Sequence, residues 1–317
     1  MSQYDISLFG KFQARYDDQA LQGLEGSKVQ ELASYLLLNK GRSYDRAAIS
    51  GLLWGDNIIG QSREHLHEAL WQIQRAISKI HDLSVQSDDN SISPLLSISP
   101  EWIGLNSEID LWLDVEEFEH AFELLKNVEA PEIADDIAQT LHKAVALYKG
   151  DLLEGCYAHW CLYERQRLQD MYIVMLDRLI GHCESTREYE LGLVYGAILL
   201  RYDPANEGTH ASIMRLYYLT GDYTSAIRQY KRCAAVLMDE LGIRPSSYTI
   251  NLYERICNEI PKAQGIPEGQ GGPFEDDRNT LSGLPGELKQ LQTILVDFQR
   301  QILKSLHAIE HIFSGRS

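Results

Sequence analysis

Apolar and polar positions alternate at the start of the chain and then change to a helical spacing. YDISLFGKFQARYDD (residues 4–18) alternates with a period of two around Gly10, which predicts two short strands joined at that glycine. Residues 27–42 carry apolar side chains three and four apart and predict a helix with Gly41 at its C-cap. Residues 43–56 predict a shorter helix with Ser43 as N-cap and Gly55 at its end.

A third helix is predicted from Ser62 to Ile80, where one apolar stripe follows one face. The stripe consists of Leu66, Ala69, Leu70, Ile73, Ala76 and Ile77. Beyond it, LSVQ, a polar SDDNS turn, LLSIS and WIGLN predict a β-hairpin and its flank. Strands, three helices and a closing hairpin are the order of a winged helix-turn-helix domain.

The pattern from Ser107 to about Lys262 predicts helix throughout and contains one internal repeat. Tyr189 and Tyr223 are 34 residues apart, with Gly192 matching Ala226 at the same offset. A period of 34 with small and aromatic residues at these places is typical of tetratricopeptide repeats, whose small residues let paired helices approach closely.

The chain end has a different composition. Residues 263–280 are rich in Gly, Pro and polar side chains and predict a flexible linker. Residues 281–317 space their apolar positions by three and four and predict an amphipathic helix suited to a coiled coil. The predicted fold is therefore mainly α: a small α+β winged helix-turn-helix domain (1–108), an all-α tetratricopeptide-like repeat domain (109–262), the linker and a C-terminal helix.

Charge and composition limit the function classes. The net charge is −17, and residues 1–108 hold 9 basic against 14 acidic residues. Any contact with nucleic acid must then come from a local basic patch, since no domain is basic as a whole. The start of the chain lacks the features of a signal peptide, and no apolar run is long enough to span a membrane, so a cytoplasmic protein without a membrane partner is expected.

No motif predicts catalysis, a cofactor or a metal site. The five cysteines form no CxxC pair and are expected to be buried, reduced thiols. GLPGELK ends in Lys289 but continues with Gln290, where a nucleotide-binding loop needs Ser or Thr. His65 and His67 do not share a helix face, and His307 and His311 lack a third ligand nearby. The protein is not expected to be an enzyme.

A resemblance to a known family rests on ISGLLWGD, SREHLHEALWQIQRAI, IDLWLDVEEFE, ALYKGDLLEGCYAHWCLYERQRLQDMYIVMLDRL and RLYYLTGDYTSAIRQYKRCAAVLMDELGIRPS. Through these stretches, residues 1–262 resemble bacterial transcriptional activators in which a winged helix of the response-regulator type precedes the bacterial transcriptional activator domain (BTAD), as in SARP-like antibiotic regulators. The resemblance implies an activator with promoter DNA and RNA polymerase as partners. The C-terminal heptads favour a homodimer.

In this resemblance SREHLHEALWQIQRAI is the recognition helix, which reads the major groove with the face opposite its apolar stripe. The predicted DNA-binding residues are Arg63, His67, Trp71, Gln72, Gln74, Arg75 and Lys79 on this helix, with Arg42 and Arg46 before it. Relatives usually carry arginine where this chain has His67, Gln72 and Gln74, and Glu64 and Glu68 repel phosphate, so weakened binding is expected. A second hypothesis remains open: an adaptor or scaffold that no longer binds DNA and acts through its helical repeats and coiled coil.

Overall fold

The computed structural model describes residues 3–17, 19–55, 59–84, 95–106, 108–127 and 133–259. Within them the strands are Tyr4–Ser7 (β1), Gln13–Tyr16 (β2), Gln19–Ala20 (β3), Ser43–Asp45 (β4), Leu96–Ile98 (β5), Trp102–Leu105 (β6) and Leu111–Leu113 (β7). The α-helices are Ser27–Leu38 (α1), Arg46–Trp54 (α2), Ile59–Ser84 (α3), Asp114–Glu123 (α4), Asp135–Leu147 (α5), His159–Thr186 (α6), Tyr189–Tyr202 (α7), Glu207–Leu219 (α8), Tyr223–Val236 (α9) and Ser247–Glu259 (α10). The predicted linker and C-terminal helix lie outside the described residues.

The N-terminal sheet has the strand order β3-β2-β1-β7. β1 and β2 are antiparallel, with Ile6 opposite Ala14, and Gly10 adopts a φ of 81° in their connection, as the alternation predicted. β7 pairs with β1 in parallel, Ile6 lying opposite Leu113. The prediction of helix throughout from residue 107 to 262 is therefore wrong at its start, because a three-residue strand is too short to show its period and its partner is a hundred residues away.

The three helices and the second sheet, of order β4-β6-β5, complete a winged helix-turn-helix domain. Ser43 is not the N-cap of α2, because it pairs with Gly104 as part of β4. Asp45 caps the helix instead, its carboxylate accepting from the Ala48 N–H at 2.9 Å. Gly55 ends α2 as predicted.

Two other predicted boundaries are wrong. α1 ends at Leu38 with Asn39 as its C-cap, and Gly41 lies in the turn that follows, with a φ of 85°. Leu83 and Ser84, predicted to begin a strand, belong to the last turn of α3. The hairpin consists of β5 and β6, which pair with Ile98 opposite Ile103.

The helical domain stacks successive helices from α4 to α10. The two tyrosines of the 34-residue repeat occupy the same place, since α7 begins at Tyr189 and α9 at Tyr223. Gly196 lets α7 approach α8 closely: a Cβ there would lie 2.6 Å from the side chain of Ile213. Ala226, the predicted counterpart of Gly192, is fully buried. The small residues thus serve the close helix packing that the repeat pattern predicted.

The turn after β1 docks on the loop between α5 and α6. Gly10 donates to the Asp151 carbonyl at 2.9 Å, while the N–H groups of Leu153 and Glu154 donate to the carbonyls of Leu8 and Gly10 at 2.9 and 2.8 Å. These bonds satisfy backbone groups of both domains at once, as buried backbone requires. The winged helix domain and the helical domain consequently share one continuous apolar core.

A buried carboxylate closes the same junction. Asp114, the first residue of α4, accepts from the N–H of Leu8 with both oxygens at 2.9 Å and from the N–H of Phe9 at 3.0 Å. It also accepts from Val115 at 2.8 Å. Burial raises the pKa of Asp114, although the backbone hydrogen bonds oppose this shift.

α1 and α6 form the second contact between the domains. Trp160 donates its indole N–H to the carboxylate of Glu31 at 3.2 Å and packs edge-on against Tyr35, with ring centroids 5.2 Å apart. Glu31 is itself buried and accepts from Lys28 at 2.8 Å. The winged helix domain is therefore held in a fixed orientation on the helical domain.

Candidate nucleic-acid interface

Two contacts join the end of α2 to the first turns of α3. Ser62, buried near the start of α3, donates its hydroxyl to the carbonyl of Trp54 at the end of α2, at 3.0 Å. The ring of Trp54 also stacks on His65, with centroids 6.5 Å apart. These two contacts set the angle at which α3 leaves α2.

The inner face of α3 is the apolar stripe that the sequence predicted. Leu66, Ala69, Leu70, Ile73 and Ala76 are each at most 4% exposed, and Ile77 is half-buried. Their burial against α1 and α2 fixes the rotation of α3 about its axis, and so determines which side chains face solvent.

The outer face of α3 carries most of the predicted DNA-binding residues. Arg63, His67, Trp71, Gln74 and Arg75 are all exposed. The guanidinium of Arg75 lies over the ring of Trp71, 4.9 Å from its centroid, in a cation–π contact. The structure thus brings these five side chains to one surface, while their contact with DNA stays a prediction.

Two of the predicted residues are engaged elsewhere on the helix surface. Gln72 is half-buried; its amide donates to Glu68 at 3.4 Å, and its carbonyl oxygen faces Gly26 at the start of α1. Lys79 is exposed but lies close to Glu25, and its charge adds to the effect of the Gly23 N–H that lowers the pKa of that carboxyl. Gln72 is therefore the predicted reader least available to a base edge.

Acidic residues share the outer face of α3. Glu64 and Glu68 are exposed, and on a helix of 100° per residue they lie on either side of Arg75, with Glu64 also next to Trp71. The N-terminal half of the face is consequently acidic around Arg63, whereas Arg75 and Lys79 make the C-terminal half basic. A phosphate group would be attracted to the C-terminal half and repelled from the centre of the N-terminal half.

Arg42 and Arg46 lie beside the wing, not on α3. Arg42 is exposed just before β4. Arg46 begins α2, and its guanidinium donates to the Ser99 carbonyl in the β5–β6 turn at 3.3 Å. Arg46 therefore supports the wing turn with part of its hydrogen-bonding capacity. Lys40, nearby, pairs with Glu116 at 3.0 Å.

The wing adds one surface residue that the sequence analysis did not single out. Trp102, at the start of β6, is 51% exposed and lies opposite Asp45 in the sheet. The turn before it, Ser99 to Glu101, contains a carboxylate and no cation. The sequence contained a signal for the exposure of Trp102. Successive side chains of a strand point to opposite faces, so an inward position at apolar Ile103 implies an outward position for its neighbour Trp102.

In the described parts of the chain, no group of three or more His, Cys, Asp or Glu side chains is arranged so that it could hold a metal ion. Likewise, none of the helices in the described ranges is long and apolar enough to cross a bilayer. Of the five cysteines, Cys161, Cys183 and Cys233 are buried as expected, whereas Cys156 and Cys257 are only half-buried.

Comparison with protein families gives a match over the helical domain. Residues 113–257 match the family model of the bacterial transcriptional activator domain. The matched segment begins at the last residue of β7 and ends within α10, so it contains all the helices from α4 to α9. The finding agrees with the BTAD resemblance over this segment. The response-regulator type of the winged helix stays a prediction.

Comparison with solved structures extends the likeness to the N-terminal domain. The chain is similar to EmbR of Mycobacterium tuberculosis, solved in complex with a low-affinity phosphopeptide, with a TM-score of 0.56 and 18% sequence identity. The similarity covers 82% of this chain and 66%, just under two thirds, of the EmbR chain. At this identity the likeness shows the fold alone: a winged helix-turn-helix domain joined to a helical repeat domain. No curated protein matches the chain.

Proposed function

We propose that the protein is a DNA-binding transcriptional regulator, an activator, that inserts α3 into the major groove of promoter DNA. The observation that carries the proposal is the outer face of α3, where Arg63, Trp71 and Arg75 are exposed together while the apolar stripe is buried. The match of residues 113–257 to the bacterial transcriptional activator domain supports the proposal, because this segment follows the winged helix domain in the chain.

The side chains on this face offer readers of different kinds. Arg63 can pair with a guanine edge or a phosphate, and Gln74 can pair bidentately with adenine. Trp71 presents an apolar ring to a thymine methyl group, and Arg75, held over that ring at 4.9 Å, is positioned for a phosphate. Lys79 extends the basic half of the face by one turn.

The helical domain is proposed to contact RNA polymerase or a second protomer. The rigid junction at Asp114 and Trp160 supports this, because a partner bound to the helical domain then has a fixed position relative to α3. Pairing of two chains through residues 281–317 would double the DNA contacts and offset the weak affinity expected of one charge-poor helix.

The test is selection of duplexes from a random library by the full chain, followed by titration of the selected duplex at several salt concentrations. We expect Arg63→Ala and Arg75→Ala each to weaken binding. The plot of log K against log salt has a negative slope, and loss of one phosphate contact should make this slope less steep by about 0.9. Arg228→Ala, which removes an exposed arginine from α9, is the matched control and should leave binding unchanged. Failure to enrich any sequence, or equal binding by all four proteins, would refute the proposal.

One observation favours a second candidate, an adaptor that does not bind DNA. Glu64, Glu68 and Glu101 place carboxylates on the helix and the wing turn, and Trp71 and Trp102 are each about half exposed, at 49% and 51%. Exposed tryptophan beside carboxylates suits a protein interface with a basic partner. In that case the library would yield no enriched sequence. Trp71→Ala would weaken capture of a protein partner, and Arg63→Ala would leave that capture unchanged.

A further inference from the structure

Two cysteines lie next to each other where the chain enters α6. Cys161, in the first turn of α6, is fully buried, while Cys156 is half-buried in the preceding loop. The side chains of the two cysteines interact with each other, and the Cys161 thiol donates to the carbonyl of Leu152 at 3.9 Å. Cys156 also lines a cleft of about 330 Å³ between the two domains, together with Phe12 and Tyr157. Cys156 is therefore the cysteine that a small reagent in the cleft can reach, whereas Cys161 is enclosed.

The surroundings of Cys156 stabilise negative charge on its sulfur. Its sulfur interacts with the side chain of Cys161 and with the backbone N–H of Ala158, the N-cap residue of α6. Arg165 donates to the Cys156 carbonyl at 3.0 Å and lies 4.0 Å from the Cys161 sulfur. These groups, the Cys161 side chain foremost, lower the pKa of Cys156 to about 6, although burial and the Glu31 carboxylate across the cleft oppose the shift. The interaction between the two cysteines raises the pKa of Cys161.

We propose that Cys156 and Cys161 form a peroxide-sensitive dithiol site that closes to a disulfide. The Cys156 thiolate attacks the terminal oxygen of a hydroperoxide, an S–O bond forms, the O–O bond breaks, and the alkoxide or hydroxide leaves and takes up a proton. Cys161 then attacks the sulfenic sulfur, the S–S bond forms, and hydroxide leaves with the Cys161 proton as water. The peroxide gains two electrons and the two thiols lose them.

The remaining cysteines differ from this pair and serve as internal controls. Burial raises the pKa of Cys183 to about 12 and that of Cys233 to about 11, so both sulfurs stay protonated and inaccessible. Cys257 is half-buried, as Cys156 is, but its side chain forms a hydrogen bond with the phenol of Tyr253 and does not interact with a second thiol.

The site is tested by treating the reduced full chain with hydrogen peroxide, trapping free thiols with N-ethylmaleimide and weighing the tryptic peptides. Residues 150–165 form one tryptic peptide that contains both cysteines. We expect this peptide to lose two hydrogens and to escape labelling, while Cys257 stays labelled. In Cys161→Ser, Cys156 should stop at a sulfenic acid that dimedone captures. Cys257→Ser, the matched control, should behave as the wild type.

A second measurement needs no variant. In the untreated wild-type chain, alkylation of Cys156 by iodoacetamide at pH 7 should be at least about tenfold faster than alkylation of Cys257, with a pH midpoint near 6. Equal rates at the two cysteines, or peroxide oxidation that spares residues 150–165, would overturn the proposal. Neither readout involves DNA, so the result is independent of the proposed regulator function.

Discussion

Replacement of Asp114 by alanine tests whether the junction between the two domains depends on one buried carboxylate. The side chain is 2% exposed and is the acceptor for the N–H groups of Leu8, Phe9 and Val115, at 2.8 to 3.0 Å. In Asp114→Ala these N–H groups lose that acceptor. Leu8 and Phe9 are themselves buried, so water cannot replace it without opening the junction.

The magnitude follows from the number of donors left unsatisfied. Each buried group without a partner costs about 1–3 kcal/mol, which gives roughly 2–6 kcal/mol for the two buried donors of the β1 turn. Removal of the carboxylate also ends its own desolvation cost, which is why its pKa is raised, and this offsets part of the loss. We therefore expect a net loss of about 2–4 kcal/mol. Asp114→Asn keeps one acceptor oxygen and should lose less, about 1–2 kcal/mol.

The assay is urea and thermal unfolding followed by circular dichroism. For a body of this size, a loss of about 2–4 kcal/mol lowers the Tm by roughly 4–16 °C. Asp136→Ala is the matched control: Asp136 also accepts from the next N–H of its helix, at 2.9 Å, but it is exposed and at the start of α5. The control should lose less than about 1 kcal/mol. Equal losses in Asp114→Ala and Asp136→Ala would refute the reasoning.

Three further predictions concern packing, pH and the second domain contact. Gly196→Ala should destabilise the protein by about 1–3 kcal/mol because its Cβ would overlap α8, whereas Gly51→Ala, on open helix surface, should stabilise it by about 0.5–1 kcal/mol; chemical unfolding distinguishes the two signs. Burial lowers the pKa of His210 in the folded state, so its contribution to stability should be lost as the pH falls below about 6.5, and His210→Gln should flatten the pH profile of Tm between 7 and 5. Trp160→Phe removes the donor to buried Glu31 and should cost about 1–3 kcal/mol, and no loss would show that this contact does not hold the domains together.

The local pattern of the sequence predicted most of the architecture. The stripe from Leu66 to Ile77 gave α3 and its rotation, because burial of one face of a helix is a property of sequence neighbours three and four apart. The place of Tyr189 and Tyr223 at the starts of α7 and α9 was likewise visible as a period of 34. The exposure of Trp71 was predictable as well, because Trp71 lies on the face of the helix opposite the buried stripe.

What the sequence did not predict depends on partners distant along the chain. β7 is a strand because β1 offers an open edge a hundred residues earlier, and Asp114 is buried because the turn at Leu8 needs an acceptor. Residue type alone made Ser43 as good an N-cap as Asp45, and the pairing of β4 with β6 decided between them.

The candidate interface was predictable as a face but not in its detail. The arc of exposed residues on α3 followed from the helical period, yet the engagement of Gln72 with Glu68 and of Arg46 with Ser99 depends on side-chain conformations and on the wing. The pairing of Cys156 with Cys161 also escaped the sequence analysis, because the spacing matches no common motif and the loop before α6 determines it.

Photocrosslinking from position 71 tests the central claim most directly. With p-benzoylphenylalanine in place of Trp71, irradiation of the full chain with its selected duplex should crosslink the protein to DNA. The same residue in place of Tyr163, which is 71% exposed on the helical domain, should not. Crosslinks from position 71 to protein alone, or equal DNA crosslinking from both positions, would contradict the account of α3 as the element that reads DNA.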